Sequence, residues 1–134
     1  MDFLKENLQK SDNIYKKEIL DQTTLEIANF YNYSPFPNYK HNDNKQTILE
    51  KGKKNFITNE FKKFIGFDKD ILEVGCGTGQ LTSFLAIGTN NRIVALDSTI
   101  KSLTIAQNFA KKNEINNIHF ICADIFHDVF KNES

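Results

Sequence analysis

The stretch ILEVGCGTGQLTSFL, residues 71–85, constrains the fold more than any other part of the sequence. A short apolar run leads into three glycines spaced two residues apart, and an amphipathic run follows them directly. Gly75 and Gly77 can adopt positive φ and let a ligand approach the backbone closely, while Gly79 lets the next helix pack near the strand. The stretch predicts either a purely structural tight turn or a strand–turn–helix that holds a nucleotide-like ligand.

The residues after this turn alternate between strand and helix patterns. RIVALD and IHFICAD are apolar runs rich in branched side chains, which favours strands. STIKSLTIAQNFAKKNEI, between them, has its apolar residues broadly on one side, which favours a helix. Strand, helix, strand, helix and strand in short order predict an α/β fold with a Rossmann-like, doubly wound parallel sheet, to which we assign residues 67–134.

Residues 1–66 predict a helical segment with a proline-rich connector. The first sixteen residues offer at most a short amphipathic helix, and helical spacing of apolar residues covers Lys17–Tyr31 and about Lys45–Phe64. SPFPNYKHNDN, between these helices, is expected to be extended where its two prolines fix the backbone. Its aromatic side chains make it either a rigid connector packed on the domain or a lid over a ligand cleft.

Two carboxylates are expected at the sheet edge where the glycine turn lies. Asp97 closes the second strand of the α/β unit, 22 residues after Gly75, where a carboxylate can accept both hydroxyls of a ribose. Asp124 closes the third strand, where it can accept a hydrogen bond from an adenine amino group. Taken alone, each has a plainer interpretation as a helix cap or loop carboxylate. With the glycine turn before them, the nucleoside interpretation becomes the better one.

The spacing of the glycines separates two classes of ligand. A dinucleotide fingerprint needs G-x-G-x-x-G, and here Gln80 occupies the place of its third glycine. The Glu73 carboxylate, just before the turn, disfavours a phosphate and suits an amine. A nucleoside that carries an amino acid therefore fits better than a dinucleotide, and an NAD-dependent oxidoreductase remains a less favoured alternative.

Charge and composition argue against several other classes of partner. The sequence has 17 basic and 17 acidic residues, so a nucleic-acid partner held by a basic field is not expected. No stretch approaches the roughly 18 apolar residues of a membrane span, and the charged start lacks a signal-peptide pattern. Cys76 and Cys122 lack the spacing of metal ligands. We expect a cytoplasmic protein with neither a metal site nor a membrane partner.

The glycine turn and the strand ends together resemble a known family. LEVGCGTGQL, followed by VALD and CAD, resembles the first half of a class I S-adenosylmethionine-dependent methyltransferase, from Asp70 to about Phe126. FYNYSPFPNY is similar to a bacterial group of methyltransferases in which Pro-Phe-Pro-Asn-Tyr precedes the domain. The resemblance implies S-adenosylmethionine as cofactor and an unidentified, small-molecule methyl acceptor.

The resemblance also implies a binding role for the residues of the turn. Gly75 and Gly77 would line the methionine part of the cofactor, and Cys76 would contribute backbone contacts. Glu73 would lie near the cofactor's amino group, directly or through water. Gly79 completes the same cofactor-binding turn.

At the adenosine end, the resemblance assigns the remaining site residues. Asp97 would bind the ribose hydroxyls, with Ser98 beside it over the adenine. Asp124 and the backbone of Ile125 would recognise the adenine edge.

We assign no catalytic residue, because the cofactor carries the chemistry and the protein supplies position and exclusion of water. His41, His119 and His127 lie in no catalytic motif, and His119 is expected to be structural.

The family fold has seven strands, whereas this sequence provides the first three. We therefore expect the N-terminal portion of a methyltransferase, inactive alone, with an unpaired edge on the first strand of the unit. A non-catalytic cofactor-binding fragment is the alternative.

Overall fold

The computed structural model describes residues 9–11, 14–17, 22–33 and 37–124. These residues form five strands and five helices. In chain order they are β1 (Gln9–Ser11), β2 (Ile14–Lys16), α1 (Gln22–Tyr33), α2 (Lys45–Lys54), α3 (Phe56–Ile65), β3 (Asp70–Val74), α4 (Gln80–Ala86), β4 (Arg92–Asp97), α5 (Ile100–Lys112) and β5 (Ile118–Cys122).

All five strands belong to one sheet, in the spatial order β1-β2-β5-β4-β3. The strands β2, β5, β4 and β3 run parallel, and β1 pairs with β2 in the antiparallel sense. Val74 lies opposite Leu96, and Asp97 lies opposite Cys122, so three carboxyl ends meet at one edge. The predicted Rossmann-like parallel sheet is confirmed, and the glycine turn begins at this carboxyl edge.

The N-terminal strands correct the expectation of at most a short helix in the first sixteen residues. The described part of that region forms β1 and β2, and β2 extends the sheet by pairing Ile14 with Phe120 of β5. Ile14 is buried, with 2% of its surface exposed. Each strand has only three residues, too few for an alternating pattern to be recognised. Pairing with β5 therefore fixes a structure that local propensity does not indicate.

Two helices differ in their bounds from the sequence prediction. The first helix begins at Gln22, whereas Lys17 precedes it in non-helical backbone. The helix expected over Lys45–Phe64 is two helices, α2 and α3, separated at Asn55. Asn55 has extended backbone, with φ −88° and ψ 110°, and its side chain accepts a hydrogen bond from the Thr58 N–H. One asparagine thus ends α2 and caps α3.

The core lies on both faces of the sheet. The larger cluster, which includes α2, α4 and α5, contains Ile48, Phe84, Ile93, Leu103, Phe109 and Phe120 among its buried residues. The smaller cluster on the opposite face contains Val94, Leu96, Ile121 and Ala123, with Tyr15 packed against it. Because β4 is buried on both faces, the sheet edge that carries the glycine turn rests on a rigid central strand.

An apolar surface is left exposed beside the edge strand β3. Leu72 and Val74 of β3 are 54% and 49% exposed, and β3 has a partner on only one side among the described strands. Phe64 of α3 is 88% exposed, whereas Ile65 and Lys62 attach this helix to the rest of the protein. The Lys62 ammonium donates to the carbonyls of Phe84 at 2.5 Å and Ile87 at 2.7 Å. The expected unpaired edge is thus present in the described residues.

Gly52 provides a test of this packing. Replacing a glycine inside a helix by alanine ordinarily stabilises it by about 1 kcal/mol. A Cβ at Gly52, however, would lie 2.1 Å from the Phe84 ring, which is itself buried beneath the Lys62 ammonium at 4.7 Å. We expect Gly52→Ala to lower the free energy of unfolding by about 1–3 kcal/mol in urea titrations. Lys53→Ala, on the exposed side of α2, should change it by less than about 0.5 kcal/mol. A more stable Gly52→Ala variant would contradict the packing.

Candidate functional site

A cavity of about 260 Å³ lies at the carboxyl ends of β3, β4 and β5. Its lining combines strand ends, the residues that follow them, and one side of α1. The lining residues are Thr24, Ile27, Val74, Gly75, Leu96, Asp97, Ser98, Ala123 and Asp124. The structure thus brings four of the sequence-predicted residues, Gly75, Asp97, Ser98 and Asp124, to one cavity.

The glycine turn has one open residue and one closely packed residue. Gly75 has φ 77°, and a Cβ there would have no heavy atom within 4 Å, so its backbone is accessible from the cavity. Gly79 has φ 78°, and a Cβ there would lie 2.9 Å from the Ala106 Cβ of α5. Positive φ is required at both, but only Gly79 is also needed for close packing.

The N–H groups of the turn are engaged inside the protein. Gly75 and Cys76 both donate to the Leu96 carbonyl, at 2.7 and 3.2 Å. Gly77 donates to Oδ2 of Asp97 at 2.8 Å. A phosphate-binding loop points such N–H groups at its anion, and here these three are directed to β4 instead.

Asp97 has structural hydrogen bonds to both of its carboxylate oxygens. Its Oδ2 accepts from Gly77, and its Oδ1 accepts from the Thr99 N–H at 2.9 Å, beside the start of α5. A carboxylate offers about four acceptor positions, so about two remain after these bonds. Asp97 lines the cavity, so the geometry accommodates a structural role and further hydroxyl donors.

Glu73 lies behind the turn rather than in the cavity wall. It accepts a hydrogen bond from the Thr82 hydroxyl of α4, on the face of β3 opposite Val74. Burial raises the pKa of the Glu73 carboxyl above 4.5; the Thr82 hydrogen bond opposes this rise, and the nearby Asp97 charge adds to it. Glu73 is therefore a destabilised anion close to the turn.

The other predicted residues of the turn are structural in their immediate contacts. Cys76 is 6% exposed, and burial raises the pKa of its thiol, which leaves the thiol protonated and unsuited to nucleophilic attack. Gly77 and Gly79 bond to or pack on neighbouring elements and do not line the cavity.

The last candidates lie at or beyond the end of β5. Asp124 is 1% exposed in the cavity wall. Ile125 and His127 are outside the described residues. His41 is exposed and precedes α2. His119 lies in β5, where it pairs with Val94 of β4, away from the carboxyl end. Burial lowers the pKa of His119, and the positive Arg92 nearby adds to this effect.

The sequence reasoning missed one site feature and left the role of a second one open. Thr24 and Ile27 of α1 form part of the cavity wall, and no motif marks them. The segment Pro37–Tyr39, which we call the strap, is bound to the outer side of the turn. The aromatic residues of SPFPNYKHNDN were the available signal for the strap, but the sequence could not show what they pack against.

Three hydrogen bonds join the strap to the turn. The Tyr39 hydroxyl donates to the Thr78 carbonyl at 2.9 Å, and the Thr78 hydroxyl donates to the Pro37 carbonyl. Nε2 of Gln80 donates to the Asn38 carbonyl at 3.1 Å. The described strap residues therefore pack on the turn and do not line the cavity.

The described residues provide neither a metal-binding cluster nor a membrane-spanning helix. Within them, no group of three or more His, Cys, Asp or Glu side chains is arranged to hold a metal ion. No described helix is long and apolar enough to span a membrane.

The chain belongs to the methyltransferase domain family. The family described as "Methyltransferase domain" matches residues 65–133, which is more than half of the 134 residues. This region contains the glycine turn and all three strand ends of the cavity. The methyltransferase class predicted from the motifs is confirmed.

Individual relatives cover only parts of the chain. The probable protein arginine N-methyltransferase 3 of Oryza sativa subsp. japonica is 42% identical over 43 residues, which are 32% of this chain and 7% of that protein. The structure of the (4+2)-cyclase SpnF matches with a TM-score of 0.52 and 14% identity, over 75% of this chain and 43% of that one.

A third similar protein is coclaurine N-methyltransferase, whose structure holds N-methylheliamine and S-adenosylhomocysteine. It matches with a TM-score of 0.50 and 19% identity, over 68% of this chain and 26% of that one. At these identities the two structures show the shared fold. The matches span less than half of each of these three proteins.

The raised pKa of Glu73 predicts a pH dependence of stability. The unfolded chain ionises this carboxyl near 4.5, whereas the folded protein resists its ionisation. The free energy of unfolding should therefore contain a Glu73 contribution that falls as the pH rises above 4.5 and levels off above the folded-state pKa. Its slope can reach about 1.4 kcal/mol per pH unit.

Comparison with Glu73→Gln isolates this contribution, because the other titrating groups cancel between the two proteins. In urea titrations from pH 4 to 8, the variant should gain stability relative to wild type as the pH rises. A parallel pair of curves would show that Glu73 has an ordinary pKa.

Proposed function

We propose that the chain binds S-adenosylmethionine in the cavity at the carboxyl edge and contributes this site to methyl transfer onto a small-molecule acceptor. The observation that carries the proposal is the charge of the cavity. Asp97 and Asp124 supply two carboxylates, and no lysine or arginine is among the described lining residues. A ligand with a sulfonium and an ammonium group complements this lining.

The cavity also fits the uncharged parts of that ligand. Val74, Leu96 and Ala123 provide apolar surface for an adenine ring, and Gly75 leaves the backbone open beside them. The cavity is a little smaller than the roughly 300 Å³ at which ligand pockets usually begin. It therefore suits a nucleoside better than a dinucleotide.

The residues would act by binding and orienting. The two remaining acceptor positions of Asp97 suit the ribose hydroxyls, with Ser98 beside it, and Asp124 suits the adenine amino group. Ile125 stays a proposed backbone contact. When bound, S-adenosylmethionine supplies an activated methyl group, so position and exclusion of water are the main contributions left to the protein.

At the methionine end, the backbone of Gly75 borders the cavity, and Cys76 and Gly77 keep that backbone in place through their bonds to β4. Glu73, behind the turn, would attract the ammonium group when it is ionised. Gly79 would act indirectly, by fixing the turn on α5.

The NAD alternative is disfavoured by the same geometry. A pyrophosphate needs free N–H groups or a basic side chain, whereas three N–H groups of the turn are bonded to β4 and the cavity is acidic. Coclaurine N-methyltransferase, seen with N-methylheliamine, is the precedent for a small-molecule acceptor. The rice relative is named for protein arginine but aligns over 43 residues, which gives a protein acceptor less support.

Titration calorimetry with S-adenosylhomocysteine and with NAD tests this proposal. We expect saturable binding of S-adenosylhomocysteine and no comparable heat with NAD. Asp97→Asn should weaken the binding about 10- to 100-fold, since hydrogen bonds to a charged group contribute about 1.5–3 kcal/mol.

Asp70→Asn is the matched control, because Asp70 is an exposed carboxylate at the opposite end of β3, paired with Arg92 at 3.0 Å. It should bind like wild type. Tighter binding of NAD than of S-adenosylhomocysteine, or equal losses in both variants, would contradict the proposed site.

A further inference from the structure

The glycine turn is held from two sides by different parts of the chain. On its inner side, the Leu96 carbonyl and the Asp97 carboxylate accept hydrogen bonds from Gly75, Cys76 and Gly77. On its outer side, the strap (Pro37–Tyr39) bonds to Thr78 and Gln80. Inner contacts come from the strand beside the turn, whereas the strap is about forty residues away in sequence, as the 39-residue separation of Tyr39 from Thr78 shows.

We propose that Tyr39 is a positioning residue of the cofactor site: through the strap it holds the glycine turn in the conformation that binds S-adenosylmethionine. This inference rests on the proposed function and adds a residue outside the matched domain region of residues 65–133. Tyr39 does not line the cavity, so its effect passes through Thr78.

The turn needs an external support because of its composition. Gly75, Gly77 and Gly79 all have positive φ, and glycine has more alternative backbone conformations than any other residue. The fraction of molecules with the binding conformation therefore depends on the bonds that select it. Apparent affinity falls in proportion to that fraction.

Thr78 is the point at which the strap acts on the turn. It is fully buried, at 0% exposure, between Gly77 and Gly79. Its carbonyl accepts from Tyr39 and its hydroxyl donates to Pro37, so the strap fixes both the backbone and the side chain of one residue. Movement of the turn would break both bonds in a buried place, where unpaired polar groups are unfavourable.

Tyr39 is itself fixed on a rigid element. Its ring stacks on Phe109 of α5, with centroids 4.5 Å apart and planes 16° apart. Burial raises the pKa of its hydroxyl, so the hydroxyl remains a donor throughout the physiological range. The backbone beyond it is held by Asp43, 8% exposed, which accepts from the Lys40 N–H at 2.7 Å. The strap therefore links the turn to α5, through the Tyr39 ring on Phe109 and the Tyr39 hydroxyl on Thr78.

Two substitutions remove the two hydroxyl groups one at a time. Tyr39→Phe deletes the hydroxyl and keeps the ring stacked on Phe109, and Thr78→Val deletes the other hydroxyl at nearly equal volume. Each should raise the dissociation constant of S-adenosylhomocysteine about three- to tenfold, the range that corresponds to one net hydrogen bond. Thr78→Ser, which retains the hydroxyl, should bind within about twofold of wild type.

A destabilised variant elsewhere separates positioning from general stability. Ile118→Val removes one methyl group from the core at the amino end of β5 and should lower stability to a similar extent. Its dissociation constant should equal that of wild type when the protein is folded. Amide hydrogen exchange of Gly75–Gly79 should accelerate in Tyr39→Phe and not in Ile118→Val, when both are corrected for global unfolding.

The outcomes distinguish this inference from the proposed function. If wild type binds S-adenosylhomocysteine and Tyr39→Phe binds it equally well, the positioning role is overturned. The role is also overturned if Ile118→Val loses as much affinity as Tyr39→Phe. If wild type does not bind it, the proposed function fails and the role in affinity fails with it. Unchanged exchange of the turn amides in Tyr39→Phe would then also overturn the support of the turn by the strap.

Discussion

The carboxylate of Asp97 is the contact on which the rest of the site depends. It joins the glycine turn, through the N–H of Gly77, to the residue before α5, through the N–H of Thr99. These two bonds hold the turn after β3 and the loop after β4 together at one edge of the sheet. They also direct N–H groups away from the cavity, which leaves carboxylates as its characteristic feature. The same contact therefore shapes the turn and contributes a carboxylate to the cavity.

The sequence predicted the α/β half of the described fold because each of its elements has a local signal. The apolar runs around Ile71, Val94 and Phe120 mark strands, and the glycines between them mark the turn. Asn55 and the strands β1 and β2 were not predictable in this way. Asn55 interrupts a helical pattern through its cap geometry, and Ile14 forms a strand only because β5 offers a partner.

The candidate site was predictable in part for the same reason. Residues at strand ends, such as Gly75, Asp97 and Asp124, meet because parallel strands bring their carboxyl ends together. The Glu73 side chain lies on the face of β3 opposite Val74, because side chains alternate between the two faces of a strand. Its bond to Thr82 depends on how α4 packs. Tyr39 and Ile27 come from distant parts of the chain, so only the folded structure shows their relation to the turn.

We propose above all that the acidic carboxyl edge binds an adenosine that carries an amino acid. Titration of ¹⁵N-labelled protein with S-adenosylhomocysteine, followed by amide chemical shifts, tests it most directly. We expect saturable shifts that are largest at Gly75, Asp97, Ser98 and Asp124, with Gly52 and Gly88 unchanged. Shifts that cluster around Gly52, or saturable binding that leaves the carboxyl edge unchanged, would contradict it.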